Sequence, residues 1–277
     1  MYSTRILRKL FVLTNCFLFS ILSSNKTKRT MRSIWCLVQR ELNKRYAQSL
    51  FGAFWIIIKP MIVIASFTFL LGDIGDLSSK IKNYPIFVLS GILPWEIFST
   101  VVINCSNILI SNKAIMPKVP INKLSFLIVG IIISAIESSL LLVVGMSLLI
   151  FFSNSEINIS GIFYSLLISL LLGFSIGSVV SALCVWYRDF RSFVNYTLQL
   201  LLLLSPIGFP SNQYSSSLEL FSRLNPMITS IDLIRFSVGY PAYANIDLSY
   251  TFAQLSIMVL VGLIIFWRMQ RYFVDII

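Results

Sequence analysis

Residues 84–124, YPIFVLSGILPWEIFSTVVINCSNILISNKAIMPKVPINKL, carry the reading of the fold. Their first 27 residues are mostly apolar and exceed the roughly 20 helical residues that cross a bilayer's hydrocarbon core. At 100° per residue Glu96, Thr100, Asn104, Asn107 and Ser111 fall within roughly an 80° arc, a polar stripe on an otherwise apolar helix. Such a stripe is expected to avoid lipid. The chain then breaks into SNKAIMPKVP, where Pro117 and Pro120 cannot continue a helix and Lys113, Lys118 and Lys123 mark a membrane edge.

The whole composition repeats this pattern. Of 277 residues 57% are hydrophobic and 12% charged, and apolar runs recur along the chain, which predicts an all-α polytopic membrane protein. The longest gap between spans, residues 210–250, is too short for an ordinary soluble domain. Cys16, Cys36, Cys105 and Cys184 lack metal-binding spacing and are expected to be reduced thiols. Histidine is absent, which excludes histidine triads and histidine proton relays. The net charge of +11 fits basic cytoplasmic loops, and nucleic acid is not an expected partner.

Residues 1–30 read as a basic and apolar extension, with Met31 as an alternative start. Residues 31–52 form an interface segment. Within it Ile34, Val38, Leu42, Tyr46 and Leu50 recur every fourth residue, opposite Gln39, Arg40, Asn43 and Lys44. That periodicity predicts an amphipathic helix on the cytoplasmic membrane surface, with Glu41 and Arg45 as an i,i+4 pair worth about 0.2 to 0.5 kcal/mol. The remainder, 53–277, is a membrane domain with six spans expected at 53–71, 84–110, 124–152, 162–186, 193–210 and 251–267. In the fourth, Ser165, Ser169, Gly173, Gly177 and Ser181 form a ridge for close helix packing; the third has Gly130, Ser134 and Ser138, and the two ridges are candidates to face each other. Before the last span, Asn225 with Pro226 and Gly239 with Pro241 punctuate a helix. Residues 226–238 reach only about 20 Å, so this helix is expected to re-enter partway or lie at the interface. Eighteen of the 22 Lys and Arg fall on one side of this topology, which places both termini in the cytoplasm.

The interface helix, six spans, LPWEIF in the second, WYRDFR between the fourth and fifth, SPIGFP ending the fifth and the NPM helix come in an order that resembles a known family. Over residues 35–271 the chain resembles the permease subunit of type-2 ATP-binding-cassette exporters of polysaccharides. The resemblance implies a homodimeric permease in a bacterial cytoplasmic membrane, served by two copies of a separate ATPase. Its cargo would be a lipid-linked glycan of O-antigen, capsule or teichoic-acid type. It also implies that the interface helix and the loop around 113–120 dock on the ATPase, making Glu41, Arg45, Lys113, Met116, Pro117 and Lys118 the coupling residues. The sequence has no GxxxxGK[ST] loop, so the chain is expected to be no enzyme and to hold no cofactor, with ATP and Mg on the partner.

On this reading Glu96, Thr100, Asn104 and Asn107, with Trp55, Phe67, Phe69 and Trp95, line the translocation pathway, since aromatic faces suit sugar rings. Phe98 points away from the stripe and is expected to pack lipid. Asn225, Pro226, Asp232 and Arg235 belong to an outer gate, the last two as an exposed i,i+3 pair. Two alternatives share the layout: a proton-coupled secondary transporter using Glu96 and Glu137, both near mid-membrane, or a permease for small hydrophobic compounds. Against the first, the halves show no inverted repeat and no unwound mid-span pair.

Overall fold

Helix begins at Asn25 because nothing between there and Tyr46 interrupts it: neither proline nor glycine occurs in NKTKRTMRSIWCLVQRELNKRY. This is α1 (Asn25–Tyr46) of a computed structural model that describes residues 25–46, 52–113, 116, 123–152, 157–187, 189–213, 224–241 and 247–273. After a short turn at Gly52–Phe54 come α2 (Trp55–Phe67), continued by wider π-helical turns over Thr68–Ile74, and then α3 (Tyr84–Ser111), α4 (Leu124–Phe152) and α5 (Ile159–Trp186). Further along, the described residues form α6 (Phe190–Leu204), α7 (Pro226–Ser237) and α8 (Leu248–Met269). The described residues are helical or irregular throughout, with no strand. Among the described residues, five helical stretches are long and apolar enough to cross a membrane: Trp55–Ile74, α3, α4, α5 and α8 with its final turn.

The fifth expected span differs. It stops being helical at Leu204, after 15 residues, rather than running to Pro210. Ser205 is extended, at ψ 145°, because the ring of Pro206 disfavours helical geometry in the residue before it. The other spans start and end within about three residues of expectation.

Helix α3 is the hub, touching α2, α4, α5, α6 and α7. Its apolar window is 78% buried, against 22% for Trp55–Ile74 and 17% for Leu248–Tyr272, so the outer faces of α2 and α8 are left for lipid or a second chain. The small-residue ridges do not face each other; each packs on α3, which lies between α4 and α5. A Cβ at Gly173 would stand 2.9 Å from the Phe98 carbonyl oxygen, and one at Gly177 2.9 Å from Cys105 Cβ, so the α3–α5 seam depends on both glycines. Further along α5, Ser165 and Ser169 meet Ser230 of α7, with Oγ to Oγ distances of 3.1 and 2.7 Å. Phe98 is thereby buried against Trp95 and α5 rather than facing lipid.

Helix α1 packs on the bundle through its apolar side: Ile34, Leu37 and Val38 are buried with Val101, Cys105, Ile108 and Leu109 of α3 and with Phe126 and Val129 of α4. Two arginines fix its slope along α3. Arg40 Nη1 donates to Asn112 Oδ1 at 3.0 Å, and Arg45 Nη1 donates to Asn104 Oδ1 at 2.7 Å. Eight helical residues, about 12 Å, separate those acceptors on α3, so α1 runs along α3 from the Asn112 end toward Asn104, the two guanidiniums reaching outward to span that distance.

Candidate functional site

The polar stripe of α3 opens into a cleft of about 840 Å³ walled by the end of α1 and by α2, α3, α4 and α6. Glu96, Thr100 and Asn104 line it as their spacing predicts, joined by Trp95 from α3 and Trp55 from α2. Lys59 of α2 faces the same space. Asn107 lies one turn beyond the cleft, where α1 crosses α3, and its Oδ1 has no hydrogen-bond partner among the described residues. Phe67 packs on the core near Gly208 instead, and Phe69 is exposed away from the cleft, so neither shares the wall with the two indoles.

Sequence reasoning missed the opposite wall. Asn195 and Gln199 of α6 line the cleft with Leu198 and Leu202. Their i,i+4 spacing puts both amides on one face of the helix, the same signal that marked the α3 stripe.

Glu137 of α4 is the most heavily coordinated side chain here. Its Oε1 accepts from Arg45 Nη1 at 3.0 Å and from the Tyr46 hydroxyl at 2.8 Å, and its Oε2 accepts from Asn104 Nδ2 at 2.9 Å. Asn104 Nδ2 also donates to Ser134 Oγ at 2.9 Å. The ion pair is partly open to the cleft, with side-chain exposures of 26% for Arg45 and 12% for Glu137. Burial, then the hydrogen bond to Glu137, pushes the Tyr46 hydroxyl above its ordinary range, which keeps it a donor. Arg45 therefore turns to Glu137, 92 residues away, and not to the i+4 partner Glu41, which is itself buried. Beside Glu137, Ser138 lines the cleft with its Oγ buried and without a hydrogen-bond partner among the described residues. Two cations and two carboxylates thus share the lining with amides, hydroxyls and two indoles, a surface that suits a polyhydroxylated ligand better than a greasy one.

Of the other expected coupling residues, Met116 is buried in the cluster beneath α1 and Lys113 is half-buried. Pro117 and Lys118 lie outside the described residues. The chain's last turn joins this end of the bundle: Phe273 is buried in the same cluster, and Lys123 Nζ donates to the Gln270 carbonyl.

At the other end of α3 the NPM helix is capped as expected, Asn225 Oδ1 accepting from Met227 N at 3.0 Å, with Pro226 buried at its first position and Gly239 at φ +95°. Asp232 and Arg235 are not an exposed pair; their side chains are 1% and 0% exposed and stand 3.8 Å apart. Arg235 Nη2 donates to the Ile207 carbonyl at 2.7 Å and Nη1 to that of Phe209 at 3.3 Å, while the guanidinium lies 3.7 Å from the Phe87 ring centre. Ser211 Oγ donates to Asp232 Oδ2 at 2.5 Å. Because helix α6 ends at Ser205, its following carbonyls need donors, and Arg235 supplies them.

The sequence pattern of the ABC-2 type transporter family matches residues 32–238. Among relatives, the O-antigen export system permease protein RfbA of Klebsiella pneumoniae is 23% identical over 245 residues, covering 87% of this chain and 93% of its own. The protein of the same name from Myxococcus xanthus is 27% identical over 199 residues, 70% of this chain and 75% of its own. The polysialic acid transport protein KpsM of Escherichia coli is 22% identical over 244 residues, 84% and 92% respectively. The matched segment runs from α1 through the cleft walls to the end of α7, and with it this chain belongs to the ABC-2 type transporter family.

Proposed function

We propose that the chain is the membrane-embedded permease subunit of a polysaccharide exporter, driven by a separate ATPase, and that the cleft between α1, α2, α3, α4 and α6 is part of the glycan's path. The observation that carries this reading is the cleft lining: Trp55, Trp95, Asn195, Gln199, Thr100 and Glu96 converge in a helical family member whose relatives bear names of O-antigen and polysialic acid export. Indole faces stack on sugar rings and amides bond hydroxyls without demanding one sugar identity. The sequence lacks a phosphate-binding loop, so ATP and Mg belong to the partner.

In the full assembly we place two permease chains and two ATPase copies, with the exposed faces of α2 and α8 available for contact between permeases. Helix α6 with the segment to Pro210 counts as the fifth of six spans, and α7 as a re-entrant helix. The basic ends then lie in the cytoplasm. The alternative of a proton carrier built on Glu96 and Glu137 loses support, since Glu137 is held by Arg45, Tyr46 and Asn104.

Deletion of the gene is expected to leave cells without surface polysaccharide while lipid-linked glycan accumulates inside. Cysteines at Glu96 and Thr100 react with a water-soluble thiol reagent, one at Phe98 does not, and Glu96→Gln impairs export more than membrane abundance. Equal protection at all three positions would remove the cleft from the path.

A further inference from the structure

We infer that Arg45 and Tyr46 form a releasable latch on Glu137, through which the position of α1 sets the charge presented inside the cleft. The inference rests on the cleft being the glycan path.

Three observations carry it. First, Glu137 draws two of its three donors from the last two residues of a single helix, α1, and only the third from the bundle itself. Withdrawing α1 by one helical turn, about 5 Å, removes both at once and leaves a carboxylate with one amide donor facing the cleft. Second, the network is graded. Asn104 bridges the two sides, giving its Nδ2 to Glu137 and Ser134 and accepting from Arg45 through Oδ1. It keeps the bonds to Glu137 and Ser134 when α1 leaves, so Glu137 remains positioned rather than collapsing. Third, the attachment lies next to an unfilled donor and acceptor: Ser138, on the same wall and 7% exposed, has its Oγ buried and without a hydrogen-bond partner among the described residues. Release of α1 thus frees a carboxylate beside a hydroxyl with no partner of its own, a pairing that accepts from and donates to sugar hydroxyls once both are uncovered.

The closed form is charge-balanced, Arg45 against Glu137. The released form is net negative at that spot, which admits neutral, hydroxyl-rich segments and disfavours holding an anion there. Glu137 acts here as a path residue, and Arg45 and Tyr46 as positioning residues that act through it.

The test begins with Ser138→Cys in a background without the four native cysteines, in membranes holding the complete complex. Arg45→Glu and Glu137→Arg each speed labelling of that cysteine and lower export by about tenfold or more, as expected for one partner of a semi-buried pair left alone. The exchange of both charges slows labelling again and restores export to within about threefold. Failure of the exchange to restore either readout would overturn the latch. A static brace is told from a latch by a tie that keeps Arg45 and Glu137 intact: Arg40→Cys with Asn112→Cys, joined by a bifunctional thiol reagent. The latch predicts that the tie abolishes export and suppresses labelling of Ser138→Cys during ATP turnover, relative to the untied pair. Unchanged labelling during turnover after tying would overturn it. The path reading is separable, because a bulky thiol adduct on Thr100→Cys blocks export if the cleft is the path, whichever way the tie comes out.

Discussion

Two ion pairs anchor opposite ends of α3, about 26 Å apart along the helix, and they are built on opposite principles. At the Phe87 end Asp232 and Arg235 sit three residues apart on one helix and are essentially without solvent; Arg235 binds backbone carbonyls of a segment that has just left helical geometry, and Asp232 accepts from Ser211. At the Asn104 end Arg45 and Glu137 come from different helices, keep partial exposure and bind side chains only. The first pair ties α7, the 205–211 segment and Phe87 together. The second joins α1 to α4 and, on the proposal above, comes apart when α1 withdraws.

The comparison is broken most directly at Arg235. Arg235→Leu leaves the Asp232 carboxylate buried without its counter-charge and two carbonyls without their donor, a loss expected to reach about 3 to 5 kcal/mol. Membrane abundance and the melting midpoint in detergent fall together. Arg235→Lys recovers little, because an ammonium lacks the planar fork that reaches two carbonyls while stacking on Phe87. Arg45→Gln, at a half-open site, lowers stability by no more than about 1 kcal/mol while export still falls. If both arginines affected stability equally, the division into rigid and releasable ends would not stand.

A smaller effect tests how far the rigid unit extends along α3. Gly173→Leu drives a side chain into the Phe98 carbonyl and Val101, where atoms of both already lie 2.9 Å from the position of a Cβ. Overpacking of this kind costs about 1 to 3 kcal/mol. Intramembrane proteolysis protection measured on α5 should drop without altered labelling of a cysteine at Ser138, since the seam and the cleft lie on different sides of α3.

These contrasts also explain what could be read from the chain. The stripe of Glu96, Thr100 and Asn104 was legible because one helix's periodicity suffices to align it, and the α5 ridge was legible for the same reason. Asn107 obeys the same periodicity but lies outside the cleft with its Oδ1 buried, which periodicity on α3 cannot show. Asn195 and Gln199 carried an equally local signal that an apolar helix of leucines concealed. Arg45 with Glu137 spans 92 residues and depends on the slope of α1, so a local rule assigned Arg45 to Glu41 instead. Asp232 with Arg235 was found as a pair but misjudged as exposed. A charged i,i+3 pair marks a surface unless something else needs the charge, and here the need arises from the backbone break at Pro206.

A third carboxylate extends the comparison to full exposure, where the smallest effect is expected. Asp247 caps α8: its Oδ1 accepts from Ser249 Oγ at 2.7 Å and from the backbone N–H groups of Ser249 and Tyr250 at 3.1 and 3.2 Å. The Ser249 hydroxyl, and next the Tyr250 N–H, hold this carboxyl below its usual range. A lowered folded-state value means the ionised cap stabilises the fold above the unfolded value of about 3.9, and that this contribution is lost as pH falls through the folded value. Asp247→Ala therefore melts earlier than the parent near neutral pH, and the gap narrows as pH drops below about 4. Asp247→Asn keeps an acceptor for the same N–H groups but does not titrate, so its midpoint lies near the parent's at neutral pH and the gap to Asp247→Ala stays constant on acidification. A gap between parent and alanine variant that ignores pH would assign the cap to geometry alone, and charge would then matter only at the two anchored ends of α3.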